Sequence, residues 1–194
     1  MSQFDTLLRS LTLPLVAVTT SAGGRRNGMI ANSAQRASLV PAHPRISLYI
    51  SKTNYTHDLV YASGVFGIHL LYADQWRLIT QLGFQSGRDV DKLIGLPIRT
   101  GETGCPLLEG TRAAFECRVV NTMDAGGSTF FLGDVVRITE GPEAPIMTSD
   151  HFRANVDPES RKIYQDRLAA AQVALEPLSA RIDRTPWPGP TVAP

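Results

Sequence analysis

Residues 27–58 read NGMIANSAQRASLVPAHPRISLYISKTNYTHD, and the division of this stretch into strand, break and helix decides the fold. From Asn27 to about Leu39 it reads as one long strand in which Gly28, Ala31, Ala34 and Ala37 offer little side chain to pack. Small residues in a strand fit either crowding by neighbouring elements or a flat ligand lying close to the main chain. Asn32, Ser33 and Ser38 add a polar cluster to the same segment. Pro41-Ala42-His43-Pro44 interrupts the pattern, because proline fixes φ and removes an N–H donor. Arg45 to Ile50 then reads as an apolar strand. Ser51-Lys52-Thr53-Asn54-Tyr55-Thr56-His57 follows, a run of donors at the start of a helix that Thr56 or a neighbour caps and Gly64 stops. Hydroxyls, a lysine and free N–H groups at a helix start suit a phosphate. Spacing alone leaves a second reading open, a Ser/Thr-rich turn with a helix cap.

On the N-terminal side, Phe4, Leu7, Leu8 and Leu11 recur at helical spacing and predict a short helix ended by Pro14. Leu15 to Thr20 is rich in strand formers, and Ser21-Ala22-Gly23-Gly24 turns it back as a hairpin. Downstream, Val65 to Leu71 predicts a strand, and Asp74 is placed as N-cap of a helix through Leu82 with Trp76, Ile79 and Leu82 on one face. Gly83 to Gly104 reads as irregular apart from a helical turn near Asp89 to Ile94. Thr111 to Asn121 and Thr129 to Thr139 read as a hairpin turned at Asp124-Ala125-Gly126-Gly127. His151-Phe152-Arg153 falls in a loop. Asp157-Pro158 supplies an N-cap with proline in the first turn. Leu168, Ala171, Leu175, Leu178 and Ile182 form a stripe that needs a partner, on a helix that Pro177 kinks or ends. Six or so strands without βαβ rhythm favour a mainly β fold with flanking helices, a closed antiparallel barrel over a sandwich.

A chain of 194 residues suits one domain with a sizeable core. A net charge of +1 gives no general attraction to nucleic acid or to an anionic membrane. No apolar run approaches the roughly 18 residues of a membrane span, and the opening residues lack a signal pattern, so a cytoplasmic location is expected. Cys105 and Cys117 are read as buried free thiols. His43, His57, His69 and His151 are scattered, so no metal site is expected.

The chain resembles the flavin reductase-like family of split-barrel proteins that bind FMN or FAD. The residues that carry the likeness are Pro14 to Thr20, Asn27-Gly28-Met29, Asn32-Ser33, Ser38-Leu39-Val40-Pro41, Ser51-Lys52, Thr56-His57-Asp58 and Ala62 to Phe66. Gly104 to Leu108, Phe115 to Val119 and Phe131 to Val135 continue it, so that roughly residues 8 to 140 are covered. The resemblance implies a split antiparallel β-barrel over residues 1–156, a C-terminal helix over 157–184 packed on the barrel or a partner subunit, and a Pro-rich tail over 185–194. It also implies a homodimer. Asn32, Ser33 and Ala34, with Ser38, correspond to the segment at the flavin ring and ribityl chain. Ser51, Lys52, Thr53, Asn54, Thr56 and His57 correspond to the phosphate stretch. Asp89-x-Asp91-Lys92 resembles a family loop, which leaves contact with the cofactor as one reading, but surface charge is preferred.

The implied activity is reduction of FMN, or FAD, by NADH or NADPH, with reduced flavin supplied to a partner monooxygenase. A tight FMN-binding carrier or electron-transfer protein that does not use nicotinamide is the alternative. A barrel with a purely structural role is a third. Nicotinamide-using relatives commonly carry Gly-Asp-His at the last hairpin, where this chain has Gly126-Gly127-Ser128. Ser128 and His151 are therefore the candidate nicotinamide-side groups. No protein nucleophile is expected, since the flavin carries the chemistry.

Overall fold

Val16 to Thr20 are five consecutive buried residues, which a strand shows only when both of its faces are covered. They belong to β1 (Val16–Ala22), around which the computed structural model is built; it describes Leu11 and residues 14–182. The expected opening helix, apart from Leu11, and the Pro-rich tail lie outside the described residues.

Eight more strands follow: β2 (Arg25–Ala31), β3 (Ala34–Arg36), β4 (Arg45–Ser51), β5 (Val65–Leu70), β6 (Ile98–Thr100), β7 (Pro106–Leu108), β8 (Ala113–Asp124) and β9 (Ser128–Glu140). The helices are α1 (Tyr55–Ser63), α2 (Trp76–Gly83), α3 (Ser149–Asn155) and α4 (Pro158–Ser179). Seven strands form one antiparallel sheet in the order β2-β1-β5-β8-β9-β4-β3. Its two edge strands, β2 and β3, are consecutive in the chain, with only Asn32 and Ser33 between them. A link that short reaches roughly 10 Å even when extended. The edges must therefore come together, and the sheet curls into a split barrel with Asn32-Ser33 at its seam. The single strand expected from Asn27 to Leu39 is thus two strands on opposite edges. Local propensity could not show this, because both halves are extended and only their partners differ.

Val18, Leu48, Ile50, Phe66, Ile68, Cys117 and Phe131 fill the barrel. Leu15, Ala17, Leu71, Ile79, Leu82, Leu93, Leu108 and Met147 form a second core on the outer face of β1. Gly28 belongs to the crowded case: a Cβ there would meet Leu82 and Leu93 at 3.0 and 3.2 Å. A flap, β6 paired with β7, occupies part of the segment expected to be irregular. It covers Glu116, which is 1% exposed. Thr103 donates to its carboxylate from both N–H and hydroxyl. Burial would raise that carboxyl, yet the bonds from Thr103 hold it below the usual range.

Several local expectations shift. α1 begins after Asn54, which makes no side-chain capping bond, and α2 begins after Gln75 rather than Asp74. His151 lies in helix α3, capped by the Thr148 hydroxyl, instead of in a loop. α4 starts as expected, with Asp157 accepting from the Ser160 N–H at 2.9 Å, and carries Pro177 in its last turn. Leu168, Ala171, Leu175 and Leu178 are half-buried, whereas Ile182 is exposed. Leu175 and Leu178 of the stripe lie against the β8–β9 turn of the same chain. Gly126 and Gly127 permit the approach: a Cβ on Gly126 would meet the Leu178 carbonyl oxygen at 2.8 Å, and one on Gly127 the Ser179 hydroxyl at 2.6 Å.

Candidate functional site

The seam, the β8–β9 turn and α4 enclose a cleft of about 480 Å³. Ala31, Asn32, Ser33, Tyr49, Ser51 and Asn54 line it from the barrel, and Tyr164, Arg167, Leu168, Ala171 and Leu175 from α4. Phe84, Gly127 and Ser128 complete the wall. Past Asn54 and Arg167 it meets a polar pocket of about 340 Å³ lined by Asn27, Thr53, Thr56, Ser86, Gly87, Arg88 and Lys92. In the other direction, past Tyr49 and Phe84, a lobe of about 390 Å³ reaches Ser149 and Arg153.

Strand register and a tight turn build the polar end. Ser51 pairs with Ser128 across β4 and β9. The Ser33 hydroxyl donates to the Tyr49 carbonyl at 2.7 Å, tying the seam to β4. Ser51 and Thr53 hydroxyls lie 2.8 Å apart, and the Asn54 N–H returns to the Ser51 carbonyl at 3.0 Å. The start of α1 is left without a side-chain cap, and the first amides of a helix lack intrahelical partners. Asn27 donates from Nδ2 to Thr56 Oγ1 at 2.9 Å, while its buried Oδ1 has no partner among the described residues. Gly87 packs directly on that amide, with no room for a Cβ. Lys92 Nζ donates to the Leu82 carbonyl at 2.8 Å; burial, then the Arg167 charge, push it down to about 8. Lys92 is therefore no surface charge, as its sequence context suggested: it is 5% exposed.

The structure brings Asn32, Ser33, Ser51, Asn54 and Ser128 to the cleft, and Thr53 and Thr56 to the polar pocket. Ala34 and Ser38 instead line a separate apolar cavity of about 440 Å³, where the Ser38 hydroxyl accepts from the Val40 N–H. Lys52 and His57 line none of these spaces. Lys52 Nζ donates to both Asp124 oxygens, at 2.8 and 2.9 Å, and this holds the Asp124 carboxyl below its usual range. His57 turns towards the sheet, with Nε2 2.9 Å from Thr129 Oγ1 and its ring stacked 5.9 Å from Tyr61. His151 packs on Trp76 at 5.9 Å and is not part of the cleft wall, whereas Ser149, with a buried unpartnered hydroxyl, is.

Sequence reasoning did not assign Tyr49, Phe84, Arg88 or the residues of α4 to the site. Asn27 and Lys92 carried a signal, since both fall in stretches of family likeness, but neither was named as a binding residue. The donor set suits a flavin nucleotide: hydroxyls, an uncapped helix start and cations at one end, amide and hydroxyl groups beside small residues in the middle.

Three proteins are similar to this chain. The high molecular weight rubredoxin of Moorella thermoacetica is 37% identical over 130 residues, 66% of this chain. Those residues span only 56% of that relative's length. The NAD(P)H ferric-chelate reductase of Archaeoglobus fulgidus is 32% identical over 136 residues, 69% of this chain and 79% of its own. The solved structure of the NADH:FAD oxidoreductase of Streptomyces globisporus matches with a TM-score of 0.66 at 26% identity, over 76% of this chain and 91% of that one. The model of the flavin reductase like domain matches residues 8–156, and the chain belongs to that family.

Proposed function

We propose that this protein is an NAD(P)H-dependent flavin oxidoreductase that binds FMN, or FAD, in the cleft under α4 and delivers electrons to an acceptor such as a partner monooxygenase. The observation that carries the reading is the continuity of the cleft with a polar pocket at the uncapped start of α1. When bound, the flavin supplies a ring that accepts a hydride from a nicotinamide. The chain's own residues bind, orient and exclude water. Asn32 and Ser33 offer polar groups to a ring edge. Ser51, Thr53, Asn54 and Thr56 stand where a phosphate meets helix-start amides. Lys52 and His57 act indirectly: Lys52 fastens the β8–β9 turn to the start of α1, and His57 fastens α1 to β9 through Thr129. The lobe beyond Phe84 gives a co-substrate room beside the ring.

The carrier reading keeps one observation in its favour: α4 lies over the hairpin that has Gly126-Gly127-Ser128 in place of Gly-Asp-His. Anaerobic mixing with FMN and NADH separates the two. Bleaching of the flavin absorbance is expected, and bound flavin that NADH and NADPH both fail to bleach would establish the carrier. Lys52→Ala is expected to change FMN affinity by less than about threefold, because an exposed ion pair contributes on the order of 1 kcal/mol or less. A large loss would return Lys52 to the phosphate.

The homodimer that the family resemblance implies leads to the β8–β9 hairpin, where the apolar residues Val120, Met123, Val136 and Ile138 are exposed. Sedimentation of the parent and Val136→Lys tests it. Among the described residues no helix is long and apolar enough to cross a membrane. Both cysteines are buried and free, which fits a reducing compartment such as the cytoplasm.

A further inference from the structure

Sequence spacing assigns the phosphate-binding charge to Lys52, but Lys52 is engaged by Asp124 and lines neither the cleft nor the polar pocket. A different cation lines both: Arg167, in the third turn of α4 and outside the family match at residues 8–156. Among the described residues its guanidinium has no hydrogen bond or ion pair, and its electrostatic neighbour is another cation, Lys92. The other charges of the pocket are occupied. Arg88 donates to Asp58 at 2.8 Å and to the Thr53 carbonyl at 3.0 Å, and Lys92 donates to the Leu82 carbonyl. Among the described residues no acidic one lines the pocket. An uncapped helix start, a buried lysine and an unpaired guanidinium around one polar space form a site of positive potential that an anion would neutralise.

We propose that Arg167 binds the phosphate of the nucleotide, reaching from α4 towards the start of α1, so that the C-terminal helix is part of the binding site. The assignment rests on the flavin-binding reading above. Its chemistry is recognition of a nucleotide phosphate, whether carried by the flavin or by the nicotinamide dinucleotide. A guanidinium suits this task because its planar fork of donors matches phosphate oxygens. Small residues beside it, Ala170, Ala171 and Ala174, leave the approach open.

The test is fluorescence titration of the full-length parent, Arg167→Gln and Arg167→Lys with riboflavin, FMN and, on flavin-free protein, NADH. Arg167 is exposed, so the loss belongs at the low end for a charge-assisted contact. Arg167→Gln is expected to weaken FMN roughly 5- to 15-fold. Riboflavin affinity and melting temperature stay at parental values, and Arg167→Lys recovers part of the loss. If FMN is unaffected and NADH weakens by the same factor, the phosphate bound is that of the nicotinamide nucleotide. Equal weakening of riboflavin and FMN overturns the proposal, since it reports displacement of α4 rather than a lost phosphate contact. Unchanged FMN and NADH in a protein whose parent binds FMN overturns it too, and leaves the flavin reading standing. A parent that binds neither flavin overturns that reading, and removes the ligand of Arg167 with it.

Discussion

Ending the chain after Asp157 is expected to weaken FMN binding by one to two orders of magnitude while the barrel stays folded. The helix that would be lost, α4, contains no fully buried residue, so its removal takes little from either hydrophobic core. What it does supply is one wall of the cleft, from Tyr164 to Ser179. Small-ligand sites bury most of their ligand, and a flavin left with one face in water loses that burial and gains access of solvent to the ring. A factor of ten in affinity corresponds to about 1.4 kcal/mol, a modest demand on the area α4 covers. Leu175→Asp in the full-length chain makes the same point without truncation, because Leu175 lines the cleft and packs against Gly127. Titration with FMN and circular dichroism on both proteins provide the check. Parental affinity in both would show that α4 has no place in the site.

The second large effect concerns acid stability. His69 is fully buried between β1, β5 and β7, and its two ring nitrogens have different work. Nε2 accepts from the Leu108 N–H at 3.0 Å, so Nδ1 carries the proton and donates to the Ala17 carbonyl at 3.3 Å. A protonated ring could not accept from Leu108. Burial, opposed by the bond to Ala17, pushes the His69 pKa down to about 4 from 6.5. Its contribution is fully present above pH 6.5, where neither state is protonated. It is lost as pH falls from 6.5 towards 4, because the unfolded chain binds a proton there and the native chain does not. At pH 5 the loss is on the order of 2 kcal/mol. The expected result is a parent that loses stability between pH 7 and pH 5 and a His69→Gln variant with a shallower slope, read by urea denaturation at both pH values. Identical slopes would remove His69 as the cause.

Much of the fold was readable because its signals are local. Gly64 stops α1 with φ 68°, a backbone conformation that glycine adopts without strain. Asp157 caps α4 by bonding a residue three positions on, and Gly23-Gly24 turn β1 into β2. The site was readable only in part. Asn32, Ser33, Ser51 and Asn54 reached the cleft because the seam and the β4–α1 turn hold them through nearby backbone. Lys52, in the same run of donors, did not, because it sits in the turn after β4 and is paired with Asp124 of the neighbouring β8–β9 hairpin.

The sequence by itself determined the main strands, the hairpin turns and the helix ends at Gly64 and Asp157, and the family to which the first three quarters of the chain belong. It could do so because each rests on residues a few positions apart. Tertiary structure alone decided that the strand after Asn27 divides at Asn32-Ser33 and that β2 and β3 lie on opposite edges of one sheet. It alone paired Lys52 with a carboxylate 72 positions away, buried Lys92 and laid α4 against Gly126-Gly127. Those outcomes depend on which distant surfaces meet when the sheet closes. The same closure sets Arg167, more than a hundred residues along the chain, opposite the start of α1.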